Sequence, residues 1–274
     1  MATNDLVITV PPPDGFEWRD TPAGGALVCR ALEPYAAHLF TTRLWPLGST
    51  PHGDRASAWA DVARALGVDE AHLERAHQVH GAAAVVRRAG DPRRGRAPLP
   101  DADIIVSNDP AIVLAIQTAD CVPLLIADRR SGAVAAAHAG WRGLAARVPS
   151  VAAGSLGDAF GSRPADLIVA VGPSISAARY EVGIDVRAQF ERAGFSRDQL
   201  ARWFLPGTRA SHWQFDGWAS ARDQLMAAGV PADQIHSSDF CTAREKELLC
   251  SYRRDGQGAG RIAGAIRARG GSMK

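Results

Sequence analysis

Four short apolar runs stand in a row near the middle of the chain: ADIIVSND, AIVLAIQT, CVPLLIAD and GAVAAAHAG. Turn signals part them: Asn-Asp-Pro, Ala-Asp and Arg-Arg-Ser-Gly. Runs this short, apolar almost throughout and punctuated this way, read as consecutive strands buried on both faces rather than as helices. A chain that carries such a block is committed to a sheet-centred core.

The flanks add both kinds of element. LVITV, a stretch near GALVCRA and HLFTTRLW read as strands from their β-branched and apolar content and their Pro/Gly punctuation. SAWADVARAL has helical periodicity, and AHLERAHQVHG reads as a short helix running out at Gly81. RRAGDPRRGRAPLPDAD, with its Arg, Gly and Pro, predicts an exposed loop whose arginines are solvated. After the central block come a helix from about Gly143 to Phe160, a strand LIVAVGPSI, helices around VRAQFERAG and WASARDQLMAAG, and a last strand near RIAGAI. No composition shift, repeat or low-complexity run divides the chain, so 1–274 reads as a single domain of mixed α and β structure.

A formal charge of +2, with 22% charged and 46% hydrophobic residues, gives no electrostatic reason to expect nucleic acid. The opening MATNDLVITVPPPDG has no basic segment before a long apolar run, and no window is apolar enough to span a membrane. A cytoplasmic protein is expected. The four cysteines, at 29, 121, 241 and 250, form no C-x-x-C and read as free thiols or ligands; Cys241 and Cys250 are expected to be ordinary thiols.

Chemistry concentrates on His80, Cys121 and His138. Thiolate and imidazole are the ligands zinc prefers, and three of them leave a fourth tetrahedral position for water or substrate. Their spacing matches no zinc finger or ribbon, so the fold must bring them together. Each also has a plain structural reading: a small core residue for Cys121, a satisfied core imidazole for His138, a capping or surface residue for His80. His77 with His80 makes an H-x-x-H pair, but Gly81 ends the helix there and the rings would diverge. The histidines at 38, 52, 72, 212 and 236 are assigned no role. Asp120 and Arg142 are charges set beside apolar strands, where an unpaired charge is costly, so each should face a partner or a substrate. VGPSISAARYEVG reads as a loop near a site or as a structural turn. Eight histidines and no H-x-H are too few for the trinuclear and blue-copper sites of a multicopper oxidase, and the H-x-E/P-C-x-x-C deaminase signature, a P-loop and a G-x-S-x-G elbow are missing.

FTTR, QVHG, the block from ADIIVSND to TADCVPLLIAD, AHAGWRG, VGPSI with YEVG, the CT at 241 and SYRRDGQGAGR occur in the order found in the YfiH-like, laccase-domain family, which this chain resembles over nearly its whole length. Members are described as purine nucleoside phosphorylases with adenosine deaminase activity. The resemblance implies an α+β single domain with a mixed β-sheet core flanked by helices. It also implies zinc on His80, Cys121 and His138, with copper as an alternative metal in vitro. A purine nucleoside and phosphate are the implied partners, for a monomer or small homo-oligomer. Within that reading Arg43 and Arg142 are the candidates to grip phosphate, since a guanidinium offers a bidentate fork. Asp120 is the candidate general acid or base, provided the backbone turns there, because neighbouring strand residues face opposite ways. Two departures stand out: LWPLGSTPHGD replaces the family's usual loop after TTR, and Leu249-Cys250 replaces its phenylalanine pair. Two other readings remain: a Cys/His hydrolase with Cys121 as nucleophile and His138 as base, of amidase or peptidoglycan-editing type, and a copper-associated polyphenol-oxidising or non-catalytic binding protein.

Overall fold

The computed structural model describes Ile8 and residues 10–48, 57–93, 95 and 97–270. The expected LVITV strand falls mostly outside these residues, as do part of LWPLGSTPHGD and two arginines of the Arg-rich loop. No helix among the described residues is long and apolar enough to cross a membrane.

Two six-stranded mixed sheets and one small sheet make up the β structure. Numbered along the chain, the first sheet holds β1 (Phe16–Thr21), β2 (Gly24–Cys29), β3 (Ala36–Thr41), β4 (Leu73–Glu74), β7 (Val113–Thr118) and β15 (Ile262–Ala268), in the order β1-β2-β3-β15-β7-β4. The second holds β5 (Ala84–Arg87), β6 (Ile104–Ser107), β8 (Val122–Asp128), β9 (Val134–Ala139), β10 (Leu167–Val171) and β14 (Ile235–Ser237), ordered β14-β10-β8-β9-β6-β5. The small sheet joins β11 (Glu181–Gly183), β12 (Phe204–Pro206) and β13 (His212–Phe215). The α+β expectation is met, and the central block supplies four strands, β6 to β9.

Side-chain alternation explains why these runs are apolar without interruption. Along β8, Val122, Leu124 and Ile126 enter one core while Leu125 and Ala127 enter another. The second of these cores fills the space between the two large sheets, where Phe40, Leu114, Ile116 and Ile266 meet Leu125 and Ala136. The first lies beneath helices α3 (Val148–Phe160), α4 (Ile184–Arg192) and α6 (Gly217–Ala227). On the far side of the first sheet, α1 (Ala58–Ala65) covers Val113, Ala115, Ala263 and Ala265. The central strands of both sheets are therefore buried on both faces, while the outer strands β1 and β5 are partly exposed.

Several local expectations are corrected. The helix expected over 143–160 is two helices, α2 (Trp141–Ala145) and α3, broken at Arg147 with φ 65°. Pro149 lies in the first turn of α3, where its missing N–H costs nothing. The short helix expected in AHLERAH is one 3-10 turn, Glu70–His72, followed by β4. A further helix, α5 (Arg197–Trp203), begins on a Ser196/Gln199 capping box, and α7 (Tyr252–Asp255) on the Ser251 hydroxyl.

His38 lies in a strand rather than in a loop or amphipathic setting. It is buried in β3, where its Nε2 accepts from the Cys29 N–H at 2.9 Å and its Nδ1 lies 3.2 Å from the Ala36 carbonyl. Burial lowers its pKa to about 4. Protonation then favours the unfolded chain, whose histidine titrates near ~6.5. The stabilisation is complete above that value and is lost as pH falls through about 4. Between about pH 7 and 4 the urea-unfolding free energy of the wild type should fall by about 3 kcal/mol more than that of His38→Gln, whose amide oxygen can still accept from Cys29. Parallel curves for the two proteins would show that His38 does not titrate in this window.

Candidate metal centre and its cleft

The site forms where the second sheet ends. β8 and β9 run antiparallel with Pro123 opposite His138, so Cys121, just before β8, lies beside His138 near the end of β9. His80 arrives on a tight loop with φ 61°, a left-handed conformation costly for a residue with a Cβ. Asp103 holds that loop: its Oδ1 accepts from the His80 N–H at 3.1 Å, and its Oδ2 from those of Gly81 at 2.7 Å and Val79 at 3.2 Å. Asp103 Oδ1 also lies 2.8 Å from His138 Nδ1. One fully buried carboxylate thus organises two of the three candidate ligands. On the other side of the loop, Gln78 exchanges two 2.8 Å hydrogen bonds with the Gln117 backbone, extending the ladder of β7.

The ligand atoms of His80, Cys121 and His138 all lie within 4.8 Å of one another, with Cys121 Sγ 4.0 Å from His80 Nε2. A tetrahedral zinc ion spaces such atoms by about 3.5 Å, so a small inward adjustment closes the set around an ion. Asp103 at Nδ1 makes that nitrogen the protonated one and turns His138 Nε2 toward the cluster, the usual carboxylate–histidine support of a metal ligand. Burial pushes the Cys121 thiol up, but the facing His138 charge and hydrogen bonds from both histidines bring it below the ordinary thiol range. Burial likewise lowers His138, and the Cys121 thiolate and Asp103 more than reverse this. Asp103 stays ionised: the His138 and backbone N–H bonds outweigh its burial. The donor set therefore fits a divalent, thiophilic ion.

Gly140 is needed here for space and not for its backbone angle. A Cβ at this position would lie 2.9 Å from both Cys121 Sγ and the His80 ring.

The cluster opens into a cleft of about 500 Å³. Arg142, Arg253 and Arg261 bring positive charge to it, and Trp141, Tyr180 and Tyr252 bring flat apolar faces. Arg142 stacks over Trp141 at 4.3 Å and has no carboxylate partner among the described residues. Asp120 lies at the cleft's edge with φ 94°, so the backbone does turn there and the carboxylate stays near Cys121. Both its oxygens accept hydrogen bonds, from Thr242 Oγ1 and from the Arg253 N–H, each at 2.6 Å. Arg43 does not line the cleft. Its guanidinium donates to the Lys246 carbonyl and its N–H to the Leu248 carbonyl, bracing the loop that leads to Arg253. His77 faces away, 2.8 Å from Asp101, outside the ligand cluster. Cys29, Cys241 and Cys250 are buried free thiols.

Asp103, Gln78, Tyr180, Arg253 and Arg261 escape sequence reasoning. Asp103 sits at the end of PLPDAD, where it reads as a turn acid. Arg253 is one arginine among 31 basic residues. The available signal for both was the same one that exposed Asp120: a charge flanked by apolar or aromatic neighbours.

The sequence profile of a family described as multi-copper polyphenol oxidoreductase laccase matches residues 54–269. A purine nucleoside phosphorylase of Deinococcus radiodurans is 35% identical over 256 residues, 89% of this chain and 94% of that protein. The purine nucleoside phosphorylase YfiH of Shigella flexneri is 36% identical over 69% of this chain and 71% of its own. The match to a Bacteroides thetaiotaomicron purine nucleoside phosphorylase spans 60% of each chain. Among solved structures, Bacillus licheniformis YfiH superposes with a TM-score of 0.83 at 26% identity, and Geobacillus stearothermophilus YlmD with 0.81 at 28%; each covers 94% of this chain and 100% of its own. Sequence blocks, fold and relatives agree: the chain belongs to the YfiH-like family described as multi-copper polyphenol oxidoreductase laccase.

Proposed function

We propose that this protein is a zinc-dependent purine nucleoside phosphorylase that also deaminates adenosine. The observation that carries the reading is the His80/Cys121/His138 cluster facing an arginine-lined cleft large enough for a nucleoside with phosphate. The names of its relatives point the same way. Zinc in an open three-ligand site supplies Lewis acidity and lowers the pKa of water toward about 7.

The chain's own residues supply the rest. In phosphorolysis a phosphate oxygen attacks the anomeric carbon, the bond to the purine nitrogen breaks, and the base leaves with a proton. Arg142 is the best-placed anion grip because no carboxylate among the described residues pairs with it. Arg253 and Arg261 each donate to main-chain carbonyls, at Glu181 and at Ala259 and Gly260, and add fixed positive charge. Trp141 and Tyr180 offer faces on which a purine can stack. In deamination water adds to the purine ring and ammonia leaves, so no phosphate is needed. Arg142→Lys keeps the charge but loses the fork. Its kcat/KM for phosphorolysis should fall about a hundredfold and for adenosine deamination less than about threefold. Equal losses in both would assign Arg142 a structural role.

Asp103 behind His138, with Cys121 in front, also supports a second reading: the nucleophile, base and orienting acid of a cysteine hydrolase. A multi-copper enzyme is less well supported. Among the described residues one group of three or more His, Cys, Asp or Glu side chains is close enough to share an ion. A Cys/His₂ set accepts copper as readily as zinc, so elemental analysis of the purified protein decides the metal.

A further inference from the structure

Asp120 lies next to a candidate metal ligand in a lone left-handed turn, and its hydrogen bonds go to three separate segments of the cleft wall. Its carbonyl accepts from the Ile175 N–H at 3.0 Å, anchoring the loop that leads to Tyr180. Its Oδ1 accepts from Thr242 Oγ1, at the start of the stretch that crosses toward the last strand. Its Oδ2 accepts from the backbone N–H of Arg253, the first-turn residue of α7 whose guanidinium lies 4.9 Å over the Tyr180 ring and donates to the Glu181 carbonyl at 2.9 Å.

We infer that Asp120 is a positioning residue, a latch that fixes the Tyr180–Arg253 wall at a set distance from Cys121, and not the acid or base of the reaction. Both carboxylate oxygens are engaged as acceptors, one by the Thr242 hydroxyl and the other by the Arg253 N–H, so the side chain bridges two segments of the wall at once. The positive φ aims the carboxylate at those donors while Cys121 turns to the histidines. A protein that used Asp120 to move protons would have to break the wall at every turnover. The latch also gives Thr242 a purpose: among the described residues its hydroxyl is the one side-chain donor to this carboxylate. Arg43 braces the same stretch from behind through the Lys246 and Leu248 carbonyls.

This inference rests on the nucleoside reading only for the identity of what the wall contacts, and its test separates the two. Asp120→Asn and Thr242→Val are prepared in the zinc-loaded protein. Asn can accept well from only one of the two donors, and Val removes one of them while keeping the shape. Amide hydrogen exchange across 251–255 should accelerate about tenfold or more in Asp120→Asn and by a smaller factor in Thr242→Val, with zinc content unchanged in both. With adenosine or inosine and phosphate, KM should rise about tenfold, kcat should stay within about threefold, and the pH dependence of kcat should keep its shape. Unchanged exchange at 251–255 would overturn the latch, as would a collapse of kcat with loss of one limb of its pH profile. If the wild type turns over no nucleoside, the nucleoside reading fails while the exchange data still decide the latch. Should Asp120→Asn not fold, Thr242→Val carries the same measurements.

Discussion

Cys121→Ala is expected to retain less than about a tenth of the wild-type zinc and to lose activity on adenosine by about a thousandfold, while remaining folded. The thiolate is the one anionic member of the ligand set, so its loss removes both a bond and the charge that balances the ion. The fold should survive because Cys121 lies at the sheet's end, against the cleft and outside the three cores. Alkylation gives an independent reading of the same thiol. Cys29, Cys241 and Cys250 are buried, so iodoacetamide applied to the native protein reports on Cys121. In the zinc-loaded protein the sulfur should be protected, and after treatment with a chelator it should react rapidly, since the facing His138 favours the thiolate. Activity should vanish with the chelator and return with zinc. A metal-free protein that remains active and is killed by alkylation would establish the cysteine hydrolase instead.

The second large effect should come from a residue that touches neither substrate nor metal. Asp103→Asn keeps size and shape but replaces one acceptor oxygen with an NH₂ group. One Asp103 oxygen serves His138 and His80, the other Val79 and Gly81, so in either orientation the amide nitrogen faces two N–H donors. The variant should be about 3 kcal/mol less stable and bind zinc about ten- to a hundredfold more weakly. Denaturant unfolding and a competitive zinc titration measure the two. Wild-type zinc affinity in a folded Asp103→Asn protein would mean that the loop and His138 keep their places without the carboxylate.

The three candidate ligands were legible because their side chains are chemically specific: a cysteine and a histidine at strand ends, and a histidine before a glycine, are poor choices for packing alone. The central strands were legible because burial on both faces writes itself into sequence as unbroken apolar runs. What stayed hidden depends on long-range pairing. Asp103 looks like any acid in a turn until β9 brings His138 beside it, and Arg253 is one of many arginines until Asp120 captures its backbone N–H. Arg43 points to phosphate by its residue type alone, and its place beside the loop is visible only in the fold, where its guanidinium donates to the Lys246 carbonyl and its backbone N–H to the Leu248 carbonyl. The break between α2 and α3 was readable in principle from Pro149, which starts helices more often than it continues them.

The strand order carries a consequence for how the protein is made. β15, the last strand, sits between β3 and β7 and pairs with both along most of its length. Until the ribosome has delivered Ile262–Ala268, β3 and β7 lack the partner they share in the folded sheet, and any edge they form leaves backbone groups unpaired. The ligand residues are synthesised long before, so metal can meet a site whose supporting architecture is still divided. Closure then depends on a contact between segments more than 140 residues apart in the chain, β7 with β15 being the nearer pair and β3 with β15 the farther, a topology that folds slowly and leaves nascent chains open to edge-to-edge association.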